Sequence, residues 1–136
     1  MNIEFKYMYR DGGNFKTGGS VVFKDAPDDL EAAKTELRKA LDEGEWFIAS
    51  QVGVPEVFSW DPHADYDPDD ERTFPADLGP GKYCIWDDCD HCWHEFMDLV
   101  VTDQEPTDER TWSAFLVCMQ QAKAAGWQVF DPASRR

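Results

Sequence analysis

Near its amino terminus the chain contains the stretch Ile3-Glu4-Phe5-Lys6-Tyr7-Met8-Tyr9-Arg10. Ile, Phe and Tyr occupy every second position, and this period of two predicts a half-buried strand. The residues that follow, Asp11-Gly12-Gly13-Asn14, favour the positive φ angles of a tight turn. We therefore expect a β-hairpin whose returning strand covers residues 15–23, with Gly18-Gly19 as a bulge.

A first helix is expected directly after this hairpin. Its apolar positions recur at helical spacing, namely at Leu30, Ala33, Leu37, Ala40 and Leu41. Asp25 is the expected N-cap, with Pro27 in the first turn, where proline is tolerated. Gly44 is placed to end the helix.

The middle of the chain predicts a short strand and a second hairpin. Trp46-Phe47-Ile48-Ala49 is an apolar run typical of a strand. The hairpin would pair residues 83–86 with residues 91–101 across the polar turn Asp87-Asp88-Cys89-Asp90.

A second helix is expected near the carboxyl end. Thr107 is the expected N-cap, and Gly126 is placed to stop the helix. The predicted apolar stripe of this helix consists of Trp112, Phe115, Leu116, Met119 and Ala122. Residues 127–130 would add a last short strand.

Together these elements predict one α+β domain over residues 1–136, in which two helices cover one face of an antiparallel sheet. Residues 60–82 interrupt the pattern, because four prolines stand there among acidic residues. We expect an acidic, proline-rich loop inserted in the domain. Loops of this length in compact domains are usually functional or disordered.

The negative charge of the chain is concentrated in one region. The formal net charge is −15, and residues 56–109 hold 17 of the 28 acidic residues but only two basic ones, Arg72 and Lys82. The first 55 residues sum to −3 and the last 27 to +3. A field of this kind repels nucleic acids and anionic membranes, and it attracts basic proteins or cations.

Composition places the chain among folded proteins. Hydrophobic residues make up 42% of it, with six Trp and nine Phe, whereas disordered chains contain few aromatic residues. The sequence has no basic start followed by a long apolar run, and no stretch approaches the length of a membrane span. We therefore expect a cytoplasmic protein whose four cysteines stay reduced.

Four short motifs are distributed over most of the chain outside residues 60–82. They are Tyr7-x-Tyr9-Arg10-Asp11-Gly12-x-Asn14-Phe15-Lys16, Val52-x-Val54-Pro55, Asp90-His91-x-Trp93-His94-Glu95-Phe96 and Glu105-Pro106-Thr107-Asp108. With these motifs the chain resembles a group of small, acidic bacterial proteins of uncharacterised function. The resemblance implies that the motifs belong to one compact domain, and it carries over no catalytic residue.

A cluster of metal-ligand residue types surrounds the predicted second turn. It consists of Cys84, Cys89, His91, Cys92 and His94. Cys89-x-x-Cys92 has the spacing of a zinc knuckle, and zinc prefers thiolate and imidazole ligands. A zinc ribbon needs a second, distant pair, however, and strand alternation would place Cys92 and His94 on the face opposite His91. An ordinary half-buried strand is the simpler interpretation, and a zinc module centred on Cys89, Cys92 and His94 is the alternative.

Other ion-binding or catalytic signals are incomplete. Asp65-x-Asp67-x-Asp69 is similar to the start of a calcium loop, but Asp70 stands where such a loop needs glycine and Ala76 where it needs glutamate. We find no sequence motif for a serine nucleophile, a phosphate-binding loop or a zinc protease. An enzyme of unknown reaction is the third hypothesis.

The leading hypothesis is a non-enzymatic binding protein whose acidic surface docks on a basic protein, and we expect no cofactor. Carboxylates would compete with nucleic acid for the Lys and Arg side chains of a nuclease or a nucleic-acid-binding effector. The protein would then act as an inhibitor, an immunity-like protein or a nucleic-acid mimic, with aromatic anchors among the acids. The expected contact residues are Trp60, Asp65, Tyr66, Asp67, Asp69, Asp70, Glu71, Trp86, Asp87, Asp88 and Asp90.

Overall fold

The computed structural model of the protein describes residues 1–10, 16–57 and 91–131. Strands, helices and one 3₁₀ turn follow one another along these residues. In chain order they are β1 (Asn2–Arg10), β2 (Lys16–Phe23), α1 (Leu30–Ala40), β3 (Trp46–Ile48), the 3₁₀ turn (Ala49–Val52), β4 (Trp93–Thr102) and α2 (Trp112–Ala125). The predicted loop at residues 60–82 and the predicted strand and turn at residues 83–90 lie outside the described residues.

The strands form one antiparallel sheet in the order β2-β1-β4-β3. The strand β1 is paired on both sides, so that Ile3 lies opposite Phe23 of β2 and Val101 of β4. The alternation predicted for β1 is confirmed, because its odd-numbered side chains are at most 2% exposed. These are Ile3, Phe5, Tyr7 and Tyr9.

A bulge in β4 allows both halves of that strand to contribute to the core. Phe5 lies opposite Leu99 and Tyr7 opposite Phe96, so two residues of β4, at 97 and 98, face the single residue Lys6. Side chains of a regular strand alternate between its two faces. The extra residue therefore restores the inward orientation of Leu99, which is 1% exposed, after Phe96 has also turned inward.

Both helices pack on the inner face of the sheet, as predicted for an α+β domain. The Phe115 ring of α2 lies 4.3 Å from the ring of Phe23 and 5.1 Å from that of Phe5, measured between centroids. On α1, Leu37 is fully buried, and the Arg38 guanidinium lies 5.0 Å from the centre of the Phe96 ring. Neither of the two described helices is long and apolar enough to cross a membrane.

The opposite surface of the sheet is the outer face, which we define by Lys6, Met8, Trp46 and Glu95. Glu95 lies opposite both Met8 and Trp46 in the strand register, so these three side chains share one side of the sheet. The next residue of β3, Phe47, points to the inner face and is fully buried. The outer face thus carries charged and aromatic groups where β3 and β4 meet.

Both predicted helix starts were wrong by four residues. Helix α1 is capped by Asp29, whose Oδ1 accepts a hydrogen bond from Ala32 N at 3.1 Å, and not by Asp25. Helix α2 is capped by Thr111 and not by Thr107. The hydroxyl of Thr107 instead accepts a hydrogen bond from the backbone N–H of Val22 at 2.8 Å. The Thr107 side chain, which the local pattern predicts as a helix cap, therefore forms a tertiary hydrogen bond at the edge of β2 instead.

Three further local predictions were wrong. Gly18 and Gly19 pair in regular register with β1 and form no bulge, and a Cβ on Gly19 would lie 2.8 Å from Val57 Cγ1. Gly19 is therefore a position of close packing. Helix α1 ends at Ala40, before Gly44, and residues 127–130 form no strand. The predicted stop at Gly126 and the predicted stripe of α2 agree with the structure.

Arg110 joins the loop before α2 to the 3₁₀ turn and to the core. Its Nη1 donates to the backbone O of Val52 at 2.7 Å, and its Nε and Nη2 donate to the Asp108 carboxylate at 3.0 and 2.8 Å. The guanidinium carbon lies 5.4 and 5.2 Å from the ring centres of Phe23 and Phe115. Hydrogen bonding within this pair lowers the pKa of Asp108 and raises the pKa of Arg110.

Replacement of Arg110 by alanine should lower the free energy of unfolding by about 2–3 kcal/mol, because charge-assisted hydrogen bonds and ring contacts are lost together. Urea unfolding measures the change. The matched control is Lys16→Ala, since Lys16 is an exposed residue of β2 and its substitution should change stability by less than about 0.5 kcal/mol. Equal effects of the two substitutions would contradict the role of Arg110.

Candidate functional site

The sequence-predicted contact residues fall in a part of the chain that the structure does not describe. All eleven lie between residues 60 and 90, and so do two of the five candidate metal ligands, Cys84 and Cys89. The other three, His91, Cys92 and His94, stand at the start of β4. The expected contact surface therefore stays a prediction.

His94 is fully buried on the inner face, and contacts within the protein engage both of its ring nitrogens. Nε2 accepts a hydrogen bond from the backbone N–H of Val57 at 3.0 Å, and Nδ1 faces the backbone O of Cys92 at 3.4 Å. Burial is the main cause that lowers the pKa of His94 to about 4. The imidazole is therefore neutral near pH 7, and it positions the segment at residues 54–57. The Tyr7 hydroxyl holds the same segment by donating to the backbone O of Pro55 at 2.6 Å.

His91 also uses both ring nitrogens in contacts with the backbone. Its Nδ1 accepts a hydrogen bond from Trp93 N at 3.1 Å, so the proton of the neutral ring is on Nε2, which donates to the backbone O of Arg10 at 2.7 Å. Among residues 1–10, 16–57 and 91–131, no three His, Cys, Asp or Glu side chains are grouped to hold a metal ion. The described part of the predicted cluster thus gives the zinc alternative no geometric support.

The structure brings together another set of residues, which we call the acidic tryptophan groove. This open groove of about 340 Å³ is lined by Asp42, Glu43, Trp46, His91 and Trp93. Two acids come from the turn after α1, one tryptophan from the start of β3, and the His-Trp pair from the start of β4. The groove forms where β3 pairs with β4 and brings residues about 50 positions apart in sequence next to each other.

The turn that carries the two acids is tight and well hydrogen-bonded. Asp42 and Trp46 exchange backbone hydrogen bonds of 2.8 and 3.0 Å, and Glu45 N donates to the backbone O of Asp42 at 3.0 Å. Glu43 and Gly44 have φ angles of +52° and +76°, the signs of a type I′ turn. Glutamate is unfavourable at such a position, where Asn or Gly is preferred. Glu43, which lines the groove, therefore has a backbone conformation that is unfavourable for glutamate and lowers the stability of the fold.

The groove is negatively charged and has aromatic sides. Among the described residues, Asp42, Glu43 and Glu45 have no ion-pair partner. The neighbouring carboxylate Glu95 lies 3.7 Å from the Nε atom of Arg10, which compensates its charge. The ring of Trp93 packs against that of Trp127, which lies 6.1 Å away in an edge-on arrangement. Carboxylates beside indole faces attract cations, because each face presents negative electrostatic potential.

Sequence reasoning did not identify this groove. The sequence feature that could have indicated the groove is the run Asp42-Glu43-Gly44-Glu45-Trp46, which contains three acids and a tryptophan but no basic residue. This run lies outside the acidic region at residues 56–109, and its glycine, Gly44, is also typical of a helix stop. Local pattern could not reveal that the start of β4 would complete the groove.

Comparison with protein-family models, with curated proteins and with solved structures found no match for this chain. The resemblance to small acidic bacterial proteins stays a prediction for the same reason. Function is therefore argued from the geometry and charge of the described residues.

Protonation of His94 should make stability depend on pH. The ordinary pKa of histidine is 6.5 and that of folded His94 is about 4. Between these values the unfolded chain binds the proton more readily, so the contribution of His94 to the free energy of unfolding decreases as pH falls from 6.5 and is gone below about pH 4. The difference corresponds to about 3 kcal/mol.

Urea unfolding across this pH range tests the expectation, with His94→Gln as control. The Gln amide oxygen can still accept from Val57 N–H but does not titrate. The stability difference between the two proteins should shrink toward acid pH. Parallel pH curves would show that His94 is not the titrating group.

Replacement of Glu43 by asparagine should stabilise the protein by about 0.5–1 kcal/mol, because the Asn-Gly pair suits a turn with two positive φ angles. Thermal unfolding measures the change. The control is Glu45→Asn, which removes the same charge at a position without positive φ and should not stabilise. A gain of the same size in both variants would assign the effect to charge repulsion instead of backbone conformation.

Proposed function

We propose that this protein is a non-enzymatic acidic binding protein that docks on a positively charged protein surface. A nuclease or a nucleic-acid-binding effector is the expected class of partner. The observation that supports the proposal concerns the contacts of the Lys and Arg side chains of this protein. In the part of the chain that the structure describes, most Lys and Arg side chains form contacts inside the fold, while many Asp and Glu side chains have no basic partner there.

The described residues include nine Lys and Arg side chains, and seven of them have internal contacts. Five form ion pairs, at Lys6, Arg10, Lys34, Lys39 and Arg110. Arg38 donates to the backbone O of Gly44, and Lys123 donates to the backbone O atoms of Lys39 and Leu41 at the end of α1. These bases stabilise the fold, and their charge is largely compensated before any partner approaches.

The acids are in excess over these bases. Nine of the 17 acids in the described residues have no basic partner among those residues. They are Asp25, Asp28, Asp29, Asp42, Glu43, Glu45, Asp103, Glu105 and Glu109. Residues 58–90 add ten acids and two bases, which include the acidic contact residues predicted from the sequence. A surface of this composition accelerates association with a basic protein and repels nucleic acid.

Competition with nucleic acid provides the mechanism. A nuclease binds phosphates through Lys and Arg side chains, and carboxylates can form charge-assisted hydrogen bonds with the same groups. An acidic protein that covers this surface excludes the nucleic acid, both by occupying the basic side chains and by repelling the phosphate backbone. Inhibition would then need no catalytic group on the acidic protein.

The affinity for basic nucleases and nucleic-acid-binding proteins should fall by roughly tenfold or more when the NaCl concentration rises from about 50 to about 200 mM. Calorimetry over this range measures the affinity. A nuclease assay on duplex DNA then tests whether binding lowers activity and whether added DNA relieves the inhibition. An acidic protein of similar net charge and unrelated fold is the control. Absence of binding, affinity that is indifferent to salt, or equal binding by the control would contradict the proposal.

A further inference from the structure

The acidic tryptophan groove combines two features that together define a ligand class. Within residues 1–10, 16–57 and 91–131, no Lys or Arg forms an ion pair with its carboxylates at Asp42 and Glu43, and its sides include the half-buried indoles of Trp46 and Trp93. Aromatic faces bind cations best when the cation is only weakly hydrated, and carboxylates add directed hydrogen bonds. A ligand that satisfies both features is cationic, planar and rich in N–H donors.

The protein itself contains an arginine that is held by aromatic rings and a carboxylate, in an arrangement similar to that of the groove. The Arg110 guanidinium packs against the rings of Phe23 and Phe115, at 5.4 and 5.2 Å, while Asp108 accepts from its Nε and Nη2. Two aromatic rings and one carboxylate, together with the backbone O atoms of Val52 and Gly53, hold this arginine. The groove offers two larger rings and two carboxylates.

Groups that would oppose a cation in the groove are neutral or compensated. His91 lines the groove, but its Nδ1 accepts a hydrogen bond from Trp93 N, so the ring is uncharged in this arrangement. Arg10 is the base paired with Glu95, the residue opposite Trp46 in the register, and its Nε lies 3.7 Å from that carboxylate. An incoming cation thus meets a net negative site.

We infer that the acidic tryptophan groove receives an arginine side chain of the partner protein, an inference that rests on the proposed function and specifies one of its contacts. Arginine is favoured over lysine because its planar guanidinium can stack on an indole and hydrogen-bond a carboxylate at the same time. A lysine ammonium is more strongly hydrated and has no planar face. The groove is therefore an anchor point within a larger acidic contact surface.

An NMR titration with capped tripeptides tests the inference directly. Acetyl-Gly-Arg-Gly-amide carries one positive charge, on the arginine, and acetyl-Gly-Lys-Gly-amide is its matched counterpart. The indole N–H signals of Trp46 and Trp93 are assigned with the variants Trp46→Phe and Trp93→Phe. The arginine peptide should shift both signals in a saturable way. It should also bind several-fold more tightly than the lysine peptide. Equal affinity for the two peptides, or shifts confined to other signals, would overturn the inference.

Charge variants separate the groove from the general field of the protein. Asp42→Asn/Glu43→Gln should weaken binding of the arginine peptide about tenfold, an estimate for two lost carboxylate contacts. The matched control is Asp103→Asn/Glu105→Gln, which removes the same charge from the loop that contacts β2, at the opposite edge of the sheet from β3. Both pairs are in turns or loops, so the fold should be retained, and circular dichroism checks this. Equal loss in both variants would assign the binding to the overall charge and overturn the inference.

The inference and the proposed function can fail separately. If basic proteins bind in a salt-dependent manner but the arginine peptide does not perturb the groove, only the arginine anchor is wrong. If the peptide binds the groove and no basic protein binds, the groove is an arginine site and the proposed function is wrong.

Discussion

The pairing of β1 on both of its edges is the constraint on which the rest of the structure depends. Its odd-numbered side chains are buried between β2, β4 and the two helices, and they bring the Phe5 ring close to those of Phe47, Phe96 and Phe115. Since the helices cover only this inner face, the residues of the other strands that form the core with them, such as Phe23, Phe47 and Leu99, must point to the same side. The bulge of β4 at residues 97 and 98 meets that requirement where regular alternation would not.

This one-sided core also determines where charge is placed. Bases that cannot enter the core lie over its edges, where Arg38 and Arg110 stack on core rings and bind backbone oxygens or a carboxylate. Ion pairs and carbonyls occupy most of the described bases, whereas nine described acids have no such partner. The nine acids without such a partner lie in turns and loops of the described residues, and that is where a basic partner would meet them.

Much of the fold could be predicted from local pattern. Period-two alternation predicted β1, and helical spacing predicted both apolar stripes, because the physical cause of each signal lies within a few neighbouring residues. The exact helix starts could not be predicted in this way. Asp25 and Thr107 are acceptable caps by residue type, but Thr107 binds Val22 of a distant strand, and the helices start at Leu30 and Trp112 instead. Local preference is worth about 1 kcal/mol at a cap and is readily overridden by tertiary hydrogen bonds.

The candidate site shows where sequence reasoning ends. The sequence by itself determined the excess of acids and the α+β fold, since these follow from composition and periodicity. Only the tertiary structure placed Asp42, Glu43 and Trp46 beside His91 and Trp93, because the pairing of β3 with β4 joins segments that are distant along the chain. It also decided that His91 and His94 bind the backbone, since their hydrogen-bond partners are set by the packing of neighbouring segments and not by residue type.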